Sequence, residues 1–152
     1  MKKILIIPIT ILLALFSMSF AKPDDILNQR AVGSFQTEFK EASSVSWKQN
    51  EKFSVATFRL NDQILFAYYD PQGSLIALAH NMLTTSLPEG LRKELRKKYS
   101  GYWITDCFQL RDDEGIHYFV RIKNAATAQV LTSDGIESWT IYLRQKANPI
   151  DF

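Results

Sequence analysis

Two stretches of this chain carry the same order of structural signals, and that duplication restricts the fold more than any single motif. Phe39, Trp47, Phe53, Phe58, Phe66 and the turn Asp70-Pro71-Gln72-Gly73 run in the order helix, strand, strand, strand, turn, strand. The second stretch repeats it: Tyr99 closes a helix, Trp103 to Leu110 and Ile116 to Lys123 read as strands, and Ser133-Asp134-Gly135 turns into a last strand through Trp139, Ile141 and Leu143. Phe39 and Tyr99 lie 60 positions apart and Gly73 and Gly135 lie 62 apart. A period of this length implies tandem supersecondary units rather than a short-repeat solenoid.

The N-terminus points to export. Lys2 and Lys3 precede an apolar run from Ile4 to Phe16, and Ser19-Phe20-Ala21 places small residues before an expected cut, the tripartite pattern of a secretory signal. The run is shorter than the roughly 20 apolar residues of a spanning helix. A leader over 1–21 and a mature domain over 22–152 follow, with no stable membrane anchor after cleavage and a periplasmic or secreted destination. The mature chain has 152 less 21, or 131, residues, within the size of one domain. Loss of Lys2 and Lys3 lowers the 18 basic residues to 16 against 16 acidic ones, so net charge supplies no general attraction to nucleic acid or anionic membrane. Cys107 is the only cysteine, so no internal disulfide forms, and its expected place is a buried strand face.

Local patterns fill in the elements. Asp24 to Glu41 reads as a helix, capped by Asp24 or Asp25, with Val32, Phe35 and Phe39 on one face and Gly33 weakening its middle. Strands are expected over Val45 to Gln49, Phe53 to Leu60, Gln63 to Tyr69 and Ser74 to His80, with Asn61-Asp62 as a two-residue hairpin. Ser86 and Glu89 have capping-box spacing around Pro88, and Leu87, Leu91, Leu95 and Tyr99 form a stripe on the second helix, which Gly101 stops. Strands then cover Tyr102 to Leu110, Ile116 to Lys123, Ala128 to Thr132 and Glu137 to Arg144, with Gln145 to Phe152 fraying around Pro149. The repeats span about 24–82 and 86–144.

Alternation separates the faces. Ile116, Tyr118, Val120 and Ile122 suit a helix-covered core, opposite His117, Phe119, Arg121 and Lys123; Trp139, Ile141 and Leu143 likewise oppose Ser138, Thr140, Tyr142 and Arg144. The fold class that accommodates this is α+β, two tandem α/β4 repeats forming one continuous antiparallel sheet with two helices on one face.

The helix ending at Phe39, Val45-Ser46-Trp47, the strand pair through Phe58 and Tyr68, the Asp70 to Gly73 turn, Ser86-Leu87-Pro88, Lys98-Tyr99-Ser100-Gly101-Tyr102 and Ser133-Asp134-Gly135 together resemble exported PepSY-like proteins of the β-lactamase-inhibitor-protein-like fold. The likeness covers nearly all of the mature chain, on turns and core aromatics. It implies the duplicated sheet, and in the inhibitor protein the concave face of that sheet clasps an enzyme. PepSY domains are associated with restraining secreted proteases. No inhibitor loop matches here residue by residue, so a β-lactamase target is not carried over.

Other features have ordinary explanations. His80 and His117 are the only histidines and lack the close-spaced partners of a zinc site, so no metal or other cofactor is expected. Asp112-Asp113-Glu114-Gly115 suits a hairpin turn better than a calcium loop. Arg92, Lys93, Arg96, Lys97 and Lys98 form a solvated basic face opposite the leucine stripe, without the interleaved aromatics that stack bases. No serine sits in a nucleophile elbow, and although a carboxylate pair could be drawn from Asp70, Asp106 or Asp134, turn formation alone explains Asp70 and Asp134, so the chain reads as non-enzymatic. The remaining site is the uncovered sheet face, where strand parity gathers Thr57, Arg59, Trp103, Thr105, His117, Phe119, Arg121, Tyr142 and Arg144. Of these, Arg59, Trp103, Phe119, Arg121, Tyr142 and Arg144 are the types that dominate binding hot spots. The alternative is that they fill a second core, since a one-residue slip exchanges the faces. The leading expectation is an exported module that docks a protein partner there, for example a secreted enzyme as its inhibitor or regulator. The alternative is a small-molecule or peptide carrier.

Overall fold

The computed structural model describes residues 27–133 and 135–146. The expected leader, the Asp24 and Asp25 caps, Asp134 and the tail around Pro149 lie outside the described residues. Helix α1 (Gln29–Glu38) leads into strands β1 (Ser43–Gln49), β2 (Ser54–Leu60), β3 (Gln63–Tyr69) and β4 (Leu75–Asn81). A 3-10 turn at Thr84–Ser86 and helix α2 (Glu89–Lys98) lead into β5 (Trp103–Arg111), β6 (Ile116–Lys123), β7 (Thr127–Ser133) and β8 (Thr140–Lys146). The strands form one antiparallel sheet in chain order, β1 through β8. The fold is α+β, two tandem α/β4 units sharing that sheet.

Both helices cover the same face. α1 buries Ala31 and Phe35 against Ala56, Phe58, Leu65 and Tyr69, and α2 buries Leu91 and Leu95 against Cys107, Val120, Ile122 and Leu131. The register runs from Leu65 to His80, Gln109 and Tyr118 as one row across four strands, joining the layer under α1 to that under α2. Each fully buried leucine or phenylalanine in these layers contributes about 1.5–3 kcal/mol, so helix docking rests on apolar burial more than on helix propensity.

The helix starts differ from their expected caps. Asn28 caps α1, its side-chain oxygen accepting from Arg30 N and Ala31 N. The capping box expected at Ser86 and Glu89 does not form: Ser86 belongs to the 3-10 turn, Pro88 is the N-cap residue with no side-chain bond, and Glu89 instead pairs with Lys93 at 2.7 Å. The physical reason is Leu87, which is buried while its backbone stays extended and so delays the helix past the serine. Asn61 and Asp62 both adopt positive φ, 49° and 62°, as a two-residue hairpin with right-handed strand twist requires.

The duplication survives by exchange of bulk. Ala31 and Phe35 correspond to Leu91 and Leu95, sixty positions on, and Trp47 to Cys107. Register equates Ala56 and Ala67 with Val120 and Leu131. The first layer is therefore aromatic with small gaps, Phe35 meeting Trp47 and Phe58 edge-on at 5.4 and 4.9 Å, whereas the second is aliphatic. Trp139 completes the second layer, donating its indole N–H to Leu91 O at 3.0 Å. Redistribution of bulk between facing positions is what close packing tolerates.

Each helix also touches the loop before the last strand of its own unit, and one glycine permits each contact. In the first unit that glycine is in the loop: Gly73 has φ 87°, and a Cβ there would lie 2.6 Å from Arg30 Cβ. In the second it has moved to the helix, where a Cβ on Gly90 would lie 2.4 Å from Ile136 O. Arg30 and Gly90 are again sixty apart. The same contact is bonded through Ser34 Oγ, which donates to Gly73 O at 2.7 Å, and through its counterpart Glu94, which accepts from Trp139 N.

Burial also fixes protonation states. It pushes the Cys107 thiol up to about 12 and the Tyr68 hydroxyl far above its ordinary range. Tyr69 is raised as well, first by burial and then by Glu38, whose carboxylate accepts from its hydroxyl at 3.3 Å.

Two predictions follow from the packing. Gly73→Ala and Gly90→Ala should each lower stability by about 1–3 kcal/mol, whereas Gly33→Ala, whose added methyl meets nothing within 4 Å in an exposed part of α1, should raise it by about 0.5–1 kcal/mol. Urea midpoints of the three variants provide the comparison. For pH, the unfolded thiol and phenols ionise at their ordinary 9.0 and 10.0 while the folded ones still hold their protons. Stability is thus complete below pH about 9 and falls as pH rises through the folded values, and Cys107→Ala should flatten the early part of that decline.

Candidate functional site: the helix-free face

The face away from the helices carries a second, smaller apolar layer. Phe53, Val55, Tyr68, Ala77, Ala79 and Leu110 are buried there, with Phe66, Ile76 and Phe119 packed against them. A neighbouring patch joins Phe108 and Val130 to Phe119, Tyr142 and Leu143. Phe108 and Phe119 stack with centroids 5.1 Å apart, Phe119 meets Tyr142 edge-on at 6.4 Å, and Phe53 meets Tyr68 at 6.0 Å. The expected second core on this face is therefore partly realised, with a buried floor and a more accessible margin.

The margin is polar and mostly cationic. Register places Lys48 opposite Val55 and Arg59 opposite Ile64 in the first unit. In the second, Asp106 faces Arg121, with Arg121 Nε 3.8 Å from the carboxylate, and Trp103 faces Lys123. Trp103 is 59% exposed, the most open aromatic side chain among the described large apolar residues and behind only Leu83 and Ile136. At the base of the layer, Tyr68 is 0% exposed and its hydroxyl has no hydrogen-bond partner among the described residues. Because burial keeps that phenol protonated, it stays a donor.

The predicted residues distribute as follows. Thr57, Arg59, Trp103, His117, Phe119 and Arg121 fall on this face by register, Tyr142 joins the aromatic patch, and Thr105 sits in a register shift of β5 with no cross-strand position of its own. Arg144 does not. Strict alternation predicted it beside Tyr142, but β8 carries a bulge: Ile141 pairs with Leu131 and Leu143 with Val130, so that Tyr142 is the extra residue of the register shift. Tyr142 and Leu143 both turn to the helix-free side, and Arg144 pairs with Gln129 on the helix side. Leu143, expected in the helix-covered core, is corrected by the same bulge.

A second bulge explains what parity missed. Ile104 pairs with Ile122 and Asp106 with Arg121, so Thr105 is the extra residue in β5. Beyond it Cys107 turns to the helices, while Asp106, Phe108 and Leu110 turn to the candidate site. Tyr68 was missed for another reason, since β3 is apolar on both sides and gives no alternation to read. The signal available for it was indirect, the shared parity of Phe66 and Tyr68 in a strand already assigned.

The remaining polar groups are engaged elsewhere. His80 lies in the row facing the helices and His117 on the opposite face, 3.0 Å from Asp112 Oδ1, which also accepts from the N–H groups of Glu114 and Gly115 in the turn. Among the described residues no three His, Cys, Asp or Glu side chains are grouped to hold a metal. On α2, Lys93 pairs with the exposed Glu89, and Lys98 reaches the largely buried carboxylate of Glu94. A cleft of about 300 Å³ between Asn28, Gln49, Asn50 and Pro71 is polar, and Gln49 Oε1 there already accepts from Asn28 N and Ser54 Oγ. No helix among the described residues is long and apolar enough to cross a membrane.

No family model matches the chain, and no curated protein matches it. Solved structures do. A DUF2874 family protein from Bacteroides uniformis superposes with a TM-score of 0.67 at 15% identity, covering 77% of this chain and 87% of that one. A protein of Bacteroides eggerthii provisionally named as periplasmic gives 0.66 at 11% identity over 83% and 89% of the two chains. A BLIP-like protein from Bacteroides fragilis gives 0.64 at 12% identity over 88% and 94%. At these identities the likeness is one of fold, and the fold of this chain is the BLIP-like one.

Proposed function

We propose that this chain is an exported, PepSY-like, non-enzymatic module that docks a protein partner on the helix-free face of its sheet. Export rests on the leader pattern of residues 1–21, and the fold likeness to a provisionally periplasmic protein agrees with it. The single observation that carries the docking reading is Trp103. An indole left 59% exposed at the edge of an aromatic layer, with Lys123 opposite it and Arg121 two residues along the partner strand, has the composition of a hot spot. Phe119 and Tyr142 extend the apolar part, and Arg59 marks the far margin in the first unit. Arg144, on the helix side, takes no part. The BLIP-like neighbour supports a protein rather than a small molecule as the occupant, and a regulated secreted enzyme is the partner class in view.

Affinity capture from the cell envelope with the tagged chain provides the test. Trp103→Ala should reduce recovery of the captured protein about 30-fold or more, the effect of losing a hot spot of at least 2 kcal/mol. Its melting temperature should barely move, because an exposed side chain is removed. Phe119→Ala should weaken capture too, with some loss of stability through the Phe108 stack. Unchanged recovery with Trp103→Ala would place the partner, if any, on another surface.

A further inference from the structure

The helices of the two units differ in charge, and the duplication supplies its own control. α2 carries Arg92, Lys93, Arg96, Lys97 and Lys98 against Glu89 and Glu94, five cations to two carboxylates, whereas α1 carries Arg30 against Glu38. Sixty positions before Arg92, Lys93, Arg96 and Lys97, α1 holds Val32, Gly33, Gln36 and Thr37. The same helix therefore docks on the same sheet without those cations, and the fold does not account for them. Both carboxylates of α2 are engaged: Lys93 holds the Glu89 carboxyl low, with help from Arg92 and Arg96, and the largely buried Glu94 meets Lys98 and Trp139 N. Arg92, Arg96 and Lys97 make no ion pair or hydrogen bond among the described residues. Two more cations stand on the helix side of the sheet. Arg144 pairs with Gln129 and Lys146 with Thr127, and both of those partners meet the Tyr102 hydroxyl just past the end of α2. The loop against Gly90 brings the exposed Glu137 to the start of α2, at the other end from Arg96 and Lys97; Asp134 of that loop lies outside the described residues.

At 3.6 residues per turn, Lys93, Arg96 and Lys97 occupy the crest of α2 opposite the buried Leu91 and Leu95, with Arg92 on one flank and Lys98 on the other. An extended acidic segment laid along one flank would leave the other unmet, while a plane of phosphates meets crest and flanks together. Without residues 1–21 the chain has 16 basic and 16 acidic residues, of which 11 and 14 lie outside α2, so attraction is directed through this helix rather than general. We infer that the α2 side of the protein rests reversibly on an anionic phospholipid surface, its cations against headgroup phosphates, with the helix-free face turned to solvent. The apolar stripe of α2 stays on the sheet, so the contact is electrostatic and nothing enters the bilayer core. The open face stays free for the docking partner proposed above.

Vesicle co-sedimentation tests this on the exported form without residues 1–21, whose apolar run would bind any bilayer by itself; every described helix and strand begins at or after Gln29. Vesicles of phosphatidylcholine with phosphatidylglycerol should bind the protein at least about tenfold more tightly than phosphatidylcholine alone at low salt, with the advantage fading as salt is raised. Arg96→Gln with Lys97→Thr installs the residues of α1, and should weaken binding about 30-fold while the melting temperature barely moves. Arg144→Gln should weaken it about fivefold. Acrylamide should quench Trp103, the most exposed aromatic side chain, equally with and without vesicles, because it lies on the opposite face. Equal binding to both kinds of vesicle, indifference to the α2 exchange, or shielding of Trp103 would overturn the inference. So would a polyaspartate peptide that binds through Arg96 and Lys97 when the anionic vesicles do not, since the face would then belong to an acidic protein. None of these outcomes touches the docking proposal, which stands or falls with capture through Trp103.

Discussion

Unequal coverage of the sheet is the constraint on which the rest of this molecule depends. Two ten-residue helices dock on one face of eight strands, and each does so by placing two or three apolar side chains against the middle strands of its own unit. A helix that short has little stability alone, so the docking surface and the helix form together. The close approach required at Gly73 and Gly90 sets how far each helix can settle onto its loop. Both helices of the described residues lie on one side, and the other face carries an aromatic layer of its own around Tyr68, Phe108 and Phe119.

That arrangement links architecture to binding. Under the docking proposal, a face half covered by its own side chains and half open at the margins combines a firm floor with exposed aromatic and arginine side chains, the types enriched at binding hot spots. The duplicated units contribute unequally to it. The first supplies Lys48, Arg59 and the buried phenol of Tyr68; the second supplies Trp103, Asp106, Arg121, Lys123 and the stacked phenylalanines. Symmetry of the backbone is thus combined with asymmetry of the surface. The helix-covered layers differ in the same way, mainly aromatic in one unit and mainly aliphatic in the other.

The glycines show how far a repeat can drift while keeping its contacts. Matching Gly73 with Gly135 by eye aligns two turns, but the structural counterpart of Gly73 in the helix-to-loop contact is Ile136, and the glycine that relieves that contact is Gly90. One small residue is needed at the crossing, and either partner can supply it. Ser34 and Glu94, likewise in equivalent helix positions, bond the same loop with opposite roles, one as donor and the other as acceptor. Sequence comparison of the halves detects their order of elements and not these exchanges, because the exchanged residues share a job and not a chemistry.

The sequence by itself determined the parts of this protein whose causes are local. The leucine stripe of α2, the left-handed Asn61-Asp62 hairpin, the Asp70 to Gly73 turn and the alternation of β6 each depend on neighbours within a few residues, so order of elements and the helix-covered face of β6 were legible. Cap positions were less so, since Leu87 answers to the distant core and displaces the start of α2 from Ser86. Only the tertiary structure decided the membership of the candidate site. Bulges at Thr105 and Tyr142 arise from pairing with β6 and β7, and each reverses the parity of every residue beyond it, bringing Asp106, Phe108 and Leu143 onto the helix-free face and turning Cys107 and Arg144 away. An extra residue between two strands leaves no mark in either strand alone, because it is a property of their pairing.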